Sequence, residues 1–580
     1  MRGMTRRQFL KLSGLMAASG ALAACAPKSI LSTPAPATAT IGQRTPQPSA
    51  VPLDPVPPEQ LPDLATIVFN RLAFGARADD REEFNALGSD DESRLSAWLE
   101  AQLDPDTLDD SDFEERYRRA GFETLDKSLE ELVSDHIVNN PYDDGDDERW
   151  RWFSLPFDEL VDLTFLRAVY SRKQLQEVLA DFWHNHFNVY GPNDEISPVF
   201  VSYDRDVIRA HLFGNFRQML EAMATHPSML FYLNNRSNSD AGPNENFARE
   251  LFELHTLGAE NYLGVRDPQT VEKDAAGVSV GYVDNDVYEA ARCFTGWRVD
   301  DDLWDGEPDV GVTGTFLYYQ PWHDRFNKFV LGKYLPADQP NMQDGRDVLD
   351  LLAAHPGTAH HVCRKLCRRL ISDEPPESIV QAAAQVFMDA RDAPDQLRQV
   401  YRAILLSDEF RSTWGGKLKR PFEFAAAVMR AASVDFVRPS WHMRWTYDMM
   451  GQPLFRRSSP DGYPDSADYW ANSMATLFGW NFIVSLIDNW GNEDEDGEGR
   501  VMLVQPRKET PSGLTTAREI VEYWVTRIHG TALSEAAMTA MMDFLRADAG
   551  PDEPLSADHL DWRLPATIEL ALMAPELRLR

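Results

Sequence analysis

The sequence predicts an all-α fold: a mainly α-helical body with a small irregular or β insertion around residues 265–335. Three observations predict it. Apolar residues recur at spacings of three and four over most of the chain beyond residue 59. Gly and Pro punctuate the ends of those runs, as in MATHPS and LISDEPPES. Alternating and β-branched stretches are confined to VSVGYV and TGTFLYYQPW, inside the insertion.

Taken in order, residues 1–25 read as an export signal. Thr5-Arg6-Arg7-Gln8-Phe9-Leu10-Lys11 is a twin-arginine pattern, and the apolar run from Leu15 to Ala24 is too short to span a bilayer. Leu22-Ala23-Ala24-Cys25 resembles a bacterial lipobox, in which the cysteine becomes the lipid-carrying N-terminus after cleavage. The alternative is an ordinary signal peptide with an incidental cysteine. The expectation is export by the twin-arginine route to the cell envelope, at the periplasm or outer cell surface. There a lipid on Cys25 would hold the protein to the membrane. Residues 26–58 are rich in Pro, Ala, Ser and Thr, bury little apolar surface, and read as a disordered tether.

The body, 59–580, is long enough for two to four domains, but no long linker divides it. The only candidate sub-boundary is the Pro- and Gly-bearing stretch near 437–465. Helical patterning is clear in LPDLATIVFNRLAFG, KQLQEVLADFWHNHF, VIRAHLFGNFRQMLEAMATHP, AHHVCRKLCRRLI and FEFAAAVMRAA.

Charge and cysteine content exclude several classes. The formal net charge is −35, which argues against a nucleic-acid partner and against electrostatic docking on anionic lipid. Besides Cys25 there are only Cys293, Cys363 and Cys367, so there is no disulfide framework. Cys363 and Cys367 are four apart on one helix face and cannot bridge without distortion. The chain has no P-loop, GxGxxG, GxSxG, HExxH or CxxCH motif. The acidic runs DNDVYE and NEDEDGE lack EF-hand spacing and read as solvated faces.

The chemistry-bearing stretch is PNENFARELFELHTLG, residues 243–258. On an α-helical wheel Glu245, Arg249 and Glu253 form an acid–base–acid stripe with Thr256, and Asn246 and Glu250 lie beside it. His255 joins Phe247, Leu251 and Leu254 on the other side, about 160° from Glu253. One helix therefore does not make a metal site. A two-helix site remains open, with Glu250 and Glu253 on one side and His184 and His186 of FWHNHF on the other. Imidazole and carboxylate suit a divalent metal such as Zn, Mn or Fe, and Asp181 is placed to orient His184. The competing reading has these histidines capping a helix and hydrogen-bonding within the core. Arg292 either lines an anion pocket or pairs with a core acid such as Glu253. His323-Asp324 with Lys328 is either an acid–base trio or a capped turn. Lys365, among Arg364, Arg368 and Arg369, is part of a local basic face that pairs with surrounding acids or holds an anion.

Several stretches in order resemble the bacterial family named domain of unknown function 1800. They are RLAFGARADD, FWHNHFNV, HPSMLFYLNNRSNSDAGPNENFARELFELHTLG, DVYEAARCFTGWRV, HDRFNKFVLGK, HHVCRKLCRRLI, AILLSDEFRS, KLKRPFEFAAAVMRA and GQPLFRRSSPDGYP, spread over 65–480. LFGWNF at 477–482 departs from the pattern, which has an arginine before an aromatic pair. The resemblance implies an exported, mostly helical protein of unknown activity. It also implies a partner: a co-encoded exported protein that is sulfatase-like and itself of unknown function. Two functions follow as expectations. One is a metal-assisted extracytoplasmic enzyme with a buried centre of His184, His186, Glu250, Glu253, His255, Arg292 and His323. The other is a non-catalytic tethered binding or assembly protein.

Overall fold

The structure, a computed structural model, describes residues 61–142, 147–301, 313–488, 501, 502 and 504–580. The export signal, the tether and the acidic run NEDEDGE lie outside the described residues. As the periodicity predicts, the described chain is mainly α-helical.

The centre is the helix Pro421–Ala431, PFEFAAAVMRA, buried along its whole length. Pro421 sits at its first turn, where no N–H is needed. Its alanines let neighbours come close. Gly75, at φ +91°, lies so near Ala427 that an added Cβ would stand 3.1 Å from Ala427 Cα. Phe422 meets Phe74 and Phe165 edge-on, with ring centroids at 5.2 and 5.4 Å. Leu64–Arg71 is also buried throughout, and Arg71 is held there by the carbonyls of Phe410 and Thr413. Full burial of each large apolar side chain contributes roughly 1.5–3 kcal/mol, which favours a helical stack of this kind over separate domains. The described residues fall in one compact unit, with the 437–465 stretch inside it.

Among the described residues the β content is three two-stranded antiparallel ribbons. Trp297–Val299 pairs with Phe316–Tyr318, and Lys328–Val330 with Lys333–Leu335. Both lie in the insertion, but VSVGYV contributes only isolated bridges at Ser279 and Tyr282. Asp435–Phe436 with Val501–Met502 makes a third ribbon that alternation did not signal. Among the described residues no helix is long and apolar enough to cross a membrane.

Two helical runs depart from the α period where the site is built. VIRAHLFGNFRQMLEAMATHP is not one helix. A π-helical turn spans Tyr203–Arg209, and a new helix starts at Phe216, capped by Asn215, which accepts from Arg217 N at 3.0 Å. PNENFARELFELHTLG is α-helical only over Glu245–Glu250 and π-helical over Leu251–His255. The i→i+5 turn widens the helix and breaks the four-residue register on which the wheel relied.

Candidate functional site

One helix, Gln174–His186, distributes the polar interior. Glu177, Asp181 and His184 follow one another at four and three residues and share a face. Because the helix continues through His186, the two histidines diverge.

His184 Nε2 lies 2.9 Å from Asp204 Oδ1. Asp204 comes from the first π turn, which also supplies Arg209. Arg209 reaches Asp204 at 2.8 Å and forks onto both oxygens of Glu177 at 2.8 Å, and Arg167 adds a second guanidinium at 3.2 Å. Burial opposes ionisation of Asp204, but Arg209, His184 and Arg167 hold its carboxyl far below the usual carboxylate range. The partner of His184 is therefore Asp204, not Asp181.

Asp181 instead enters a second network. It bonds Arg369 Nη2 at 3.0 Å and Arg420 Nη2. Arg369 and Arg580 converge on Glu423 Oε1, the former at 2.5 Å, and Arg420 Nε reaches Glu423 Oε2 at 3.2 Å. All three arginines are buried. Burial works against charge on Glu423, yet the three guanidinium groups drive its carboxyl well below the ordinary range. Close by, Lys417 bridges Asp373 and Asp465 at 2.7 and 2.8 Å.

A third network holds His323. Its Nε2 is 3.1 Å from Asp344 Oδ2, which also accepts from Lys328 at 2.5 Å. Arg292 pairs with Glu289 at 2.9 Å and with Asp324 at 2.7 Å, so its acids are these two rather than Glu253. Asp324 also caps Phe326 N at 2.9 Å. The capped-turn reading of this stretch holds.

The remaining polar groups are different. His186 Nε2 meets the carbonyl of His255 at 3.1 Å, while His186 Nδ1 and both ring nitrogens of His255 are buried with no hydrogen-bond partner. The His186 ring centroid lies 6.1 Å from that of His255 and 6.4 Å from that of His361, and Phe182 stacks on its face. His361 bonds Glu260 Oε1 at 3.0 Å and the Leu254 carbonyl at 3.1 Å. One helical turn beyond it, on Pro356–Leu370, Lys365 makes no ion pair or hydrogen bond among the described residues. Burial pushes its pKa down to about 8, with Arg368 adding repulsion against the pull of Asp465, Asp461 and Glu260. Burial, the Lys365 charge and His361 press His255 down to about 3, and His186 also falls well below its ordinary value. Both imidazoles are neutral at pH 7. Burial opposes charge on Glu260, but its bond to His361 holds it at about 2.

Glu250 and Glu253 are half-buried and make no ion pair among the described residues. Burial first, then Glu253 and Asp461, raise the Glu250 carboxyl. The expected ladder is half made. Arg249 meets Glu245 at 2.9 Å, but its other arm goes to Asp284 at 3.2 Å because the π turn has rotated Glu253 away. Of the residues expected to form one centre, the structure joins His186 and His255. It sends His184, Arg292 and His323 to separate ion networks. His184, His186, Glu250 and Glu253 do not converge as a ligand set, and no three His, Cys, Asp or Glu among the described residues are grouped to hold a metal ion.

A strap, residues 453–466, packs against the helix that carries His184 and His186 and the turn after it, with Phe455 against the His184 ring. Asn185 bonds Tyr463 through both amide atoms, at 2.9 and 2.7 Å, and Asn188 donates to the carbonyls of Arg457 and Ser459 at 3.0 and 2.9 Å. Tyr232 ties down Ser458 O at 2.9 Å. Gly462, at φ +74°, lies against Asn185, where a Cβ would stand 2.2 Å from its carbonyl oxygen. Only glycine fits there. The later part of the 437–465 stretch is thus pinned beside the helix end that carries His186.

Sequence reasoning named Lys365 only as part of a basic face and did not bring it or His361 into the centre, although the two form an i,i+4 pair on a helix with an amphipathic pattern. Arg364 does pair with an acid, Glu377 at 2.8 Å, and Arg369 with Asp181, as the basic-face reading prefers; Arg368 reaches only the Asp373 carbonyl at 3.0 Å, and Lys365 has no partner among the described residues. Arg580 was missed and carried no local signal.

Fold and site together define a large helical body with a strapped, polar interior. The chain belongs to the family described as "Protein of unknown function (DUF1800)", which matches residues 67–579. No curated protein and no solved structure shows a significant match.

Proposed function

We propose that this protein is an exported, lipid-tethered enzyme whose reacting centre is His186, His255, His361 and Lys365 beside the 453–466 strap. The twin-arginine pattern, the Cys25 lipobox and the tether support the address. One observation carries the site. Among the described residues, three imidazole nitrogens of His186 and His255 are buried without a hydrogen-bond partner and the part-exposed Lys365 makes no ion pair, while each charged group of the networks around Asp204, Glu423 and Asp344 has an ion-pair partner. Leaving a buried polar group unsatisfied costs about 1–3 kcal/mol. Arg369 and Arg580 each leave a buried Nε unbonded as well, but their charges are paired with Glu423; two facing histidines with open ring nitrogens mark their place for chemistry. Neutral imidazoles accept and return protons, and a lysine poised near pH 8 switches between amine and ammonium close to neutrality. Any metal assistance would draw on the free nitrogens of His186 and His255. Elemental analysis of the wild type and of His186→Phe decides whether a metal takes part.

The test separates site from scaffold. His255→Phe removes two unsatisfied nitrogens, so its melting temperature is expected to hold or rise. The same variant, and Lys365→Met, are expected to fail to replace the wild-type gene in its host. A loss of about 3 kcal/mol or more in both variants, with replacement retained, would assign the cluster to packing instead. Loss of acyl labelling in Cys25→Ala tests the anchor separately.

A further inference from the structure

The helix Ser473–Ile487 is apolar on both faces. No charged residue occurs from Trp470 to Ile487, in a chain that is 26% charged. Its inner face, with Ala475, Gly479, Phe482 and Ile483, is buried, Gly479 lying against Phe424 and Met450. Its outer face carries Met474, Leu477 and Trp480, exposed by 53, 44 and 44%. A surface helix of a water-facing body ordinarily turns charge outward. Packed beside it is Trp441–Asp448, whose Trp441 and Trp445 are 67 and 43% exposed and stack on each other at 6.1 Å. Two neighbouring helices thus present tryptophan, methionine and leucine to the outside, the signature of an interaction surface.

We infer that this face rests on the membrane that carries the anchor, at an uncharged lipid surface. The inference depends on the tethered reading above and adds where the body touches the bilayer. A fifteen-residue helix is about 22 Å long, too short to cross a hydrocarbon core of about 30 Å and suited to lying in its interface. Indole rings favour the headgroup level. Charge points the same way. The chain is −35 overall and is repelled by anionic lipid, and Asp468 and Asp488 bracket the helix, so the uncharged face approaches neutral headgroups best. The tether, residues 26–58, even when fully extended at about 3.1 Å per residue, keeps the body within on the order of 100 Å of the anchor. That confinement raises the effective lipid concentration and makes a weak contact sufficient.

The test uses the full chain carrying Cys25→Ala, which has no acyl chain, and phosphatidylcholine vesicles. The protein is expected to co-sediment with them, its tryptophan emission shifting to the blue and quenching on brominated phosphatidylcholine. Adding phosphatidylglycerol weakens the binding. Replacing Trp441, Trp445 and Trp480 together by Ser lowers partitioning at least tenfold, with circular dichroism and melting unchanged. Absence of partitioning or of bromine quenching in the tryptophan-bearing chain overturns the inference. So does equal partitioning of the triple variant. If the triple variant instead abolishes a dimer seen by sedimentation, the face is a contact between copies and the lipid assignment fails. Acyl labelling of the wild type is read independently, so a failed anchor with retained vesicle binding sinks the tether and leaves the face.

Discussion

Asp181 and His186 stand five residues apart on one buried helix and meet opposite fates. Asp181 faces Arg369 and Arg420, and through them Glu423 and Arg580, in a network where every carboxylate has at least one guanidinium. His186 faces His255 and His361, and three ring nitrogens of His186 and His255 have no partner among the described residues. Arg369, Arg420 and Glu423 are buried in one place as His186 and His255 are in the other, so burial alone does not make a functional site. What differs is saturation. A buried charge that is paired on all sides fixes helix against helix, and a buried polar group left open is available to something else.

That contrast can be broken from its saturated side first. Glu423→Gln leaves buried Arg369 and Arg420 with Asp181 alone and strips Arg580 of its carboxylate contact, and is expected to lower stability by about 3–5 kcal/mol, read by denaturant unfolding. From the open side, acid is the probe. Unfolded His255 binds a proton below about pH 6.5, and the folded one only near pH 3. The unfolded state therefore binds more protons between these values, so stability falls as pH drops from 6.5 towards 3. His255→Phe should make that decline shallower by a few kcal/mol, and a decline of unchanged steepness would show the ring to be charged or exposed. Gly462→Ala tests the seat of the strap on Asn185. The Asn185 carbonyl and the positive φ are expected to cost roughly 2 kcal/mol and to speed amide exchange at Tyr463. Least of all, Arg249→Ala removes a half-exposed pair to Glu245 and Asp284 and should change stability by less than about 1 kcal/mol.

How much of this was legible follows from the range of each signal. Helices at 174–186, 356–370 and 421–431 were readable because amphipathic periodicity is local. The tight glycine of SSPDGYP was quotable as a motif, but its reason, the carbonyl of Asn185, lies 277 residues earlier in the chain. The wheel on 243–258 put His255 on the buried side, where it lies, and failed for Glu253 because a π turn has no signature in apolar spacing. His184 and His186 were both singled out, but the acid that His184 would meet depended on the first π turn, which delivers Asp204 and Arg209.

The sequence by itself determined the helical class, the family and the supply of buried ionisable groups, because composition and periodicity act over a few residues. Only the tertiary structure decided which of those groups are paired and which are left open. Saturation is a property of distances between helices far apart in the chain, and no local pattern encodes it.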